Sequence, residues 1–410
     1  MIKPTLVIAL TFTSMPTQAA PLYAFTTSTI GTGRLEDWPE VAGMGVHGLE
    51  AADAICRFRA ADAHLPNSSE FVAWLSDRDS DAYCHLFGLS GKKADRCGHA
   101  ELPWGSGPWF RVDAMPFAER LSAAGETQDV YSPLETNENG VVFSHPVESF
   151  TATRADGTLD TIFDPEPDCE HWTSASDDPT SQFATLGWSV LSSVGWTETG
   201  TAVSCSGHRH LVCLQRGASD ETIPLRTSGR REAFITSQDV TGALDGIAGA
   251  DSICRQAATD AGLYQANRFK ALIASSSANV HALNRFEFDG PWYRRDGLLF
   301  ASGKNELASG HVNLPLNLTQ LGEYVGFAVA LTGARADGSP REGHDCNGWS
   351  GGNGIVTGSL VNGVRGLGNA WFDNAQVTCM PQPPSIEEWP RKLMCLLDAD
   401  VLFHDSFELW

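Results

Sequence analysis

Positive charge is scarce in this chain of 410 residues: 28 Lys and Arg stand against 50 Asp and Glu, for a formal net charge of -22. A surface so acidic repels nucleic acid and anionic membranes and carries no basic footprint for either. A cationic partner, or none, is the more natural inference. Long apolar runs are missing too. Beyond the first twenty residues no stretch reaches the 18 apolar residues of a membrane span. There is no phosphate loop and no metalloprotease signature, and no serine or cysteine reads as an enzyme nucleophile. Asp and Glu pairs are so plentiful that their presence nominates no catalytic dyad.

What is present is a repeat. Ala52 to Leu65 reads ADAICRFRAADAHL and Ala250 to Leu263 reads ADSICRQAATDAGL, with nine of the fourteen positions identical. Ala52, Ile55, Cys56, Ala60 and Ala63, and Ala250, Ile253, Cys254, Ala258 and Ala261, fall on one helical stripe. Gly107-Pro108-Trp109 through Asp113 returns as Gly290-Pro291-Trp292 through Asp296. Arg154 to Gly157 returns as Arg335 to Gly338, Asp168-Cys169 with Trp172 as Asp345-Cys346 with Trp349, and Trp196 as Trp371. The order is kept while the offset drifts from 198 at Cys56/Cys254 to 174 at Cys205/Cys379. One fold occurring twice, with loops of unequal length, is the reading.

Met1 to Ala20 reads as an export signal: Lys3 is the positive end, Leu6 to Met15 the apolar run, Thr17-Gln18-Ala19 the small-residue cleavage site. Residues 1–19 are therefore the expected signal peptide. The protein is expected outside the cytoplasm, secreted or periplasmic, without a membrane span. Export makes the ten cysteines a disulfide framework. Cys84 and Cys97 occur only in the first copy and suit a local staple. The four shared positions, Cys56, Cys169, Cys205 and Cys213, or Cys254, Cys346, Cys379 and Cys395, allow three connectivities. A zinc site competes weakly, since no Cys-x-x-Cys knuckle is present.

Each copy opens on a short strand (Tyr23 to Thr27, Ala233 to Thr236), continues into the Cys-bearing helix, and then enters a strand-forming run (Phe71 to Ser76, Phe269 to Ala274). Residues 20–217 and 232–398 make two domains, 218–231 the linker, and 399–410 a tail resembling those of some exported bacterial proteins. With these residues in view, each copy resembles endostatin, the globular C-terminal domain of certain collagens. The Ala-Asp-x-x-Cys helix, the Ala73 to Ser76 strand, the Pro146 to Gly157 segment, the Asp-Cys-x-x-Trp and the closing cysteines carry the likeness. It covers residues 23–216 and, more loosely, 233–397. The resemblance implies an α+β, C-type-lectin-like fold and nested bridges, Cys56–Cys213 around Cys169–Cys205 and Cys254–Cys395 around Cys346–Cys379. Endostatin's zinc site and heparin binding do not carry over, because neither copy starts with its His-rich segment and the chain is strongly acidic where heparin binding needs clustered arginines. No Gly-X-Y collagen repeat precedes the domains.

Several residues are candidates for a site. Asp77, Asp79 and Asp81 alternate as in a calcium loop, but Ala82 and Gly88 replace the Gly and Glu that an EF-hand requires; a solvated loop is the plainer reading. His208 and His210 share one face of a strand, a spacing that could ligate a metal, with no third ligand in view. Glu166-Pro167-Asp168 and Asp373-Asn374 approach the sugar-binding motifs of C-type lectins without matching them. The recurrent Trp109/Trp292, Trp172/Trp349 and Trp196/Trp371 read as core. The unshared Trp104, Trp188 and Trp389 are candidates for exposed contacts, and Asn67 and Asn317 begin glycosylation triplets. The leading expectation is a non-enzymatic extracellular binding or adhesion protein without a resident cofactor (calcium being the alternative), which recognises a glycan or protein surface through loops. A structural envelope or matrix component is the runner-up and a secreted hydrolase the third reading.

Overall fold

The computed structural model describes residues 21–121, 130–162, 164–192, 194–219, 230–310, 312–326, 328–361, 373, 375–380 and 390–400. Residues 1–19, Trp371, Asn374, Trp389, most of 218–231 and the tail from 401 lie outside the described residues. The fold is α+β with five disulfides. No helix among the described residues is long and apolar enough to cross a membrane.

The first half runs from β1 (Leu22–Thr26) through the helix α1 (Gly48–Asp62) to β2 (Phe71–Ala73) and the short α2 (Ala82–Leu86). Next come β3 (Trp109–Arg111), β4 (Pro116–Ala118), β5 (Glu148–Phe150), the single turn α3 (Cys169–Trp172), β6 (Phe183–Trp188), β7 (Ala202–Ser204) and β8 (His210–Gln215). The sheet order is β4-β3-β1-β8-β5-β6-β7, with β2 also on β8. β8 is buried from Leu211 to Gln215, as an apolar strand covered on both faces should be. Cys213 lies opposite Phe25 of β1 on one side and Ala73 of β2 on the other. The expected strand from Phe71 to Ser76 ends at Ala73: Trp74 still donates its N–H to Val212 of β8, but Ser76 donates to Thr151 instead.

The second half runs through β9 (Ala233–Ile235), α4 (Gly246–Asp260), β10 (Phe269–Ala271), β11 (Trp292–Tyr293), β12 (Leu299–Ala301), α5 (Lys304–Ala308) and β13 (Val329–Leu331). It ends with α6 (Cys346–Trp349), β14 (Ile355–Leu360), β15 (Ala375–Thr378), β16 (Arg391–Lys392) and β17 (Met394–Leu397). Its strands pair as β10-β17-β9, β11-β12 and β15-β14-β13-β16, in three separate sheets, and the β1–β3 pairing of the first half returns only as an isolated bridge between Glu232 and Tyr293. The counterpart of β8 is interrupted at Leu393. β16 therefore runs beside β13, while β17 lies between β9 and β10.

The helix stripe meets the sheet through its small residues: Ala52, Ile55, Cys56 and Ala60, and Ala250, Cys254 and Ala258, are buried. Ala63 and Ala261 are only half-buried, since both helices have ended before them. The aspartate of each motif has its own task. Asp53 Oδ1 accepts the N–H of Ala73 at 3.0 Å and Asp251 Oδ1 that of Ala271 at 2.9 Å, pinning β2 and β10 to the helix. The cysteine beside it is bridged to the central strand, Cys56 to Cys213 and Cys254 to Cys395. Inside these lie Cys169–Cys205 and Cys346–Cys379, with Cys84–Cys97 apart. This is the nested order that the resemblance implies. Gly33 and Gly242 are required by the inner bridges, because a Cβ there would come within 2.6 Å of Cys169 Sγ and 2.3 Å of Cys346 Sγ.

The halves share a core. Val190 and Leu191 of the first are packed into the cluster of Leu272, Trp292 and Leu316 of the second. Arg294, wholly buried, donates to the carbonyl oxygens of Tyr131 (2.8 Å) and Pro315 (3.0 Å) and pairs with Asp296. Asn317 is 0% exposed and bonded to Arg294, Ser192 and Val130, so its glycosylation triplet is out of reach of any transferase.

Candidate functional site

The inserted stretch between β2 and β3 builds a cleft in the first half. α2 carries Cys84, bridged to Cys97, and the loop that follows places Trp104 at the surface with 61% of its area exposed. Tyr83 fixes the loop by donating its hydroxyl to the Pro103 carbonyl at 2.6 Å, and burial pushes the Tyr83 phenol up to about 12. Leu86, Phe87, Trp104, Gly105 and Ser106 face Glu70 and Arg216 across a cleft of about 360 Å³. Arg216 Nη2 and Glu70 Oε2 stand 3.4 Å apart, both part-exposed. Two aromatic side chains, one cation, one anion and one hydroxyl thus converge. The second half closes the corresponding place. By strand register Arg216 corresponds to Asp398, which is fully buried. Asp398 accepts the N–H groups of Glu287 and Phe288 and the Lys270 ammonium.

A second cleft, of about 290 Å³, opens beside β5 and β8 and is lined by Ile30, His145, Glu148, Trp188, His208 and His210 among others. Of the unshared tryptophans, then, Trp104 and Trp188 each line a cleft, Trp188 being only half-buried, while Trp389 lies outside the described residues. The recurrent Trp109, Trp172, Trp292 and Trp349 are wholly buried and Trp196 nearly so. Trp109 and Trp292 donate to the Gln215 and Leu397 carbonyls, Trp172 and Trp349 to those of Ser76 and Ala274.

The Asp77–Asp81 loop is neither solvated nor arranged as a calcium cage. Asp77 and Asp81 are buried. Asp77 Oδ1 accepts the N–H groups of Asp79 and Ser80, and Asp81 those of Lys93 and Leu159; only Asp79 is open, its side chain 83% exposed. Short carboxylates next to unpaired backbone donors make turns first. Among the described residues no three His, Cys, Asp or Glu side chains are placed to hold a metal ion. Asp168, of the Glu166-Pro167-Asp168 triplet, is buried against Arg78, which donates Nε at 3.0 Å and Nη2 at 2.8 Å. Burial works to raise its carboxyl, but the Arg78 guanidinium and backbone N–H outweigh that and hold it below the usual range. Asp345 is the same device, gripped by Ser275, Ser276 and Gly348. Asp373 pairs with Arg341 at 3.4 Å, and Asn374 lies outside the described residues.

Two features bear on hydrolysis. Glu40 and Glu138 form a sheltered carboxylate pair, but Arg59 and Ser28 engage Glu138, Arg59 and Thr29 engage Glu40, and neither carboxylate lines either cleft. Sequence reasoning misses that Gly348 to Gly352 spells Gly-x-Ser-x-Gly. Ser350 sits just past a turn of left-handed residues, donates to the Asn347 carbonyl at 2.7 Å, and makes no hydrogen bond to a histidine among the described residues. It is a C-terminal cap, not a nucleophile elbow. Compared with protein-family models and with curated proteins, the chain matches none.

Proposed function

We propose that this is an exported, non-catalytic binding protein of two endostatin-like, C-type-lectin-like domains, and that the Trp104 cleft is its site for an uncharged glycan. The observation that carries the reading is Trp104 itself, a large exposed aromatic side chain at the rim of a cleft where the second half has the buried Asp398 in place of Arg216. The Trp104 ring stands in one cleft with the Arg216–Glu70 pair, and apolar surface joined to a few polar groups is what ligand sites offer. The apolar C–H face of a pyranose fits the indole, and its hydroxyls fit the Arg216 guanidinium, the Glu70 carboxylate and the Ser106 hydroxyl. An acidic chain favours an uncharged sugar over a sulfated one.

The test is the mature protein on an array of glycans and matrix proteins, with calcium and then with EDTA. A glycan signal that survives EDTA and is lost in Trp104→Ala supports the reading. A signal abolished by EDTA overturns its metal-free form. Silence across the array transfers weight to a structural envelope or matrix role.

A further inference from the structure

We propose that the Trp188 cleft binds a small organic carboxylate, its anionic end held by His145, His208 and His210 and its apolar body laid on Trp188 and Ile30, with affinity that rises on acidification. The site is separate from the Trp104 cleft and is tested separately. Its floor is apolar: Ile30 is 48% exposed and Pro146 and Val147 line the wall. The indole Nε1–H of Trp188 is shut off from solvent and meets no acceptor among the described residues, so the ring offers the cleft its apolar face. A volume of about 290 Å³ suits a small molecule rather than a protein segment.

The imidazoles give the cleft its sign. His210 Nδ1–H donates to the Thr27 carbonyl at 2.6 Å, which leaves Nε2 as the basic nitrogen, and its ring stands edge-on to Phe143. Burial holds His210 below the ordinary imidazole value; His145 and Arg209 act in the same direction, the Thr27 carbonyl and Glu138 in the opposite one. The other carboxylates nearby are committed. Glu148 pairs with Arg209 at 2.6 Å, and Glu138 with Arg59 and Ser28. Among the described residues no carboxylate is ion-paired to any of the three histidines. A proton arriving here therefore lacks a counter-ion until a ligand brings one. In the second half, strand register puts Lys392 at the place of His210 and Leu360 at that of Trp188, and Lys392 already has Asp239 at 2.8 Å.

The sign follows from linkage. A bound carboxylate stabilises a protonated imidazole, so protons are taken up on binding and affinity grows as pH falls. Titration calorimetry on the full chain would use phenylacetate, with phenylacetamide as the uncharged control. Phenylacetate is expected to bind about fivefold more tightly at about pH 5.5 than at about pH 7.5, as coupling to one imidazole by about one pKa unit requires. The amide is expected to gain nothing. His145 and His208 are exposed, so His145→Gln with His208→Gln keeps the fold while reducing the pH dependence; Trp104→Ala leaves it intact. Equal affinity at both pH values, no binding at either, or an undiminished pH gain in the double variant would overturn the proposal.

Discussion

Single aspartates hold much of this fold in place, and their protonation sets its acid limit. Asp168 and Asp345 each receive several donors and have carboxyls held below the usual range against the pull of burial. The unfolded chain binds protons more readily at these positions than the folded one does. Their contribution is therefore complete above about pH 4 and is lost as pH falls through the lower folded values. Asp345→Asn is expected to cost about 1–3 kcal/mol at neutral pH, and to unfold in urea with a shallower dependence on pH below about 4. An unchanged acid profile would show that Asp345 is not the linked group. The left-handed residue after α1 gives a prediction of opposite sign. His64 has φ of 59° where the second half has Gly262 at 66°. A side chain in that region costs roughly 1 kcal/mol, so His64→Gly is expected to raise the thermal midpoint. Recurrence in the sequence marks these aspartates, but it cannot distinguish a residue repeated for its contacts from one repeated for a ligand. Asp77 and Asp81 show the limit: acidic alternation resembles a cation loop until the backbone donors that occupy it are seen.

At the scale of elements, shared segments make the scaffold, and the Trp104 cleft is built on an unshared one. The apolar stripe of α1 and α4 is readable because fifteen residues contain several helical turns. α2 is five residues long, too short for any period, and it is where the Trp104 cleft begins. Its only legible sign is the pair Cys84 and Cys97, left over when the shared cysteines are matched. Replacing both by serine opens a loop of sequence separation 13, and removal is expected to cost about 3 kcal/mol in the chain-entropy model. Because the shared core does not include this bridge, the variant is expected to stay folded at room temperature. Release of the α2 loop should show first as quicker proteolysis between β2 and β3, with loss of glycan binding. Retained binding would separate the bridge from the site.

Over the whole molecule, two halves with largely matching strand pairings are not two independent beads. Val190 and Leu191 belong in sequence to the first half and in packing to the core of the second, and Arg294 reaches from the second to the Tyr131 carbonyl of the first. The sequence shows the duplication but not this junction, since nothing in a periodic pattern says which partner an apolar residue covers. Leu191 reads as one more residue near the end of β6. A buried leucine truncated to alanine costs about 2–5 kcal/mol, depending on how far the site collapses. If the junction couples the halves, scanning calorimetry of the full chain gives one transition, and Leu191→Ala lowers it as a whole. Hydrogen exchange should then speed up at β13 and β14, across the junction from the substitution. Two transitions, with only the one belonging to residues 20–217 displaced, would mean that each half folds by itself and that the shared cluster contributes little.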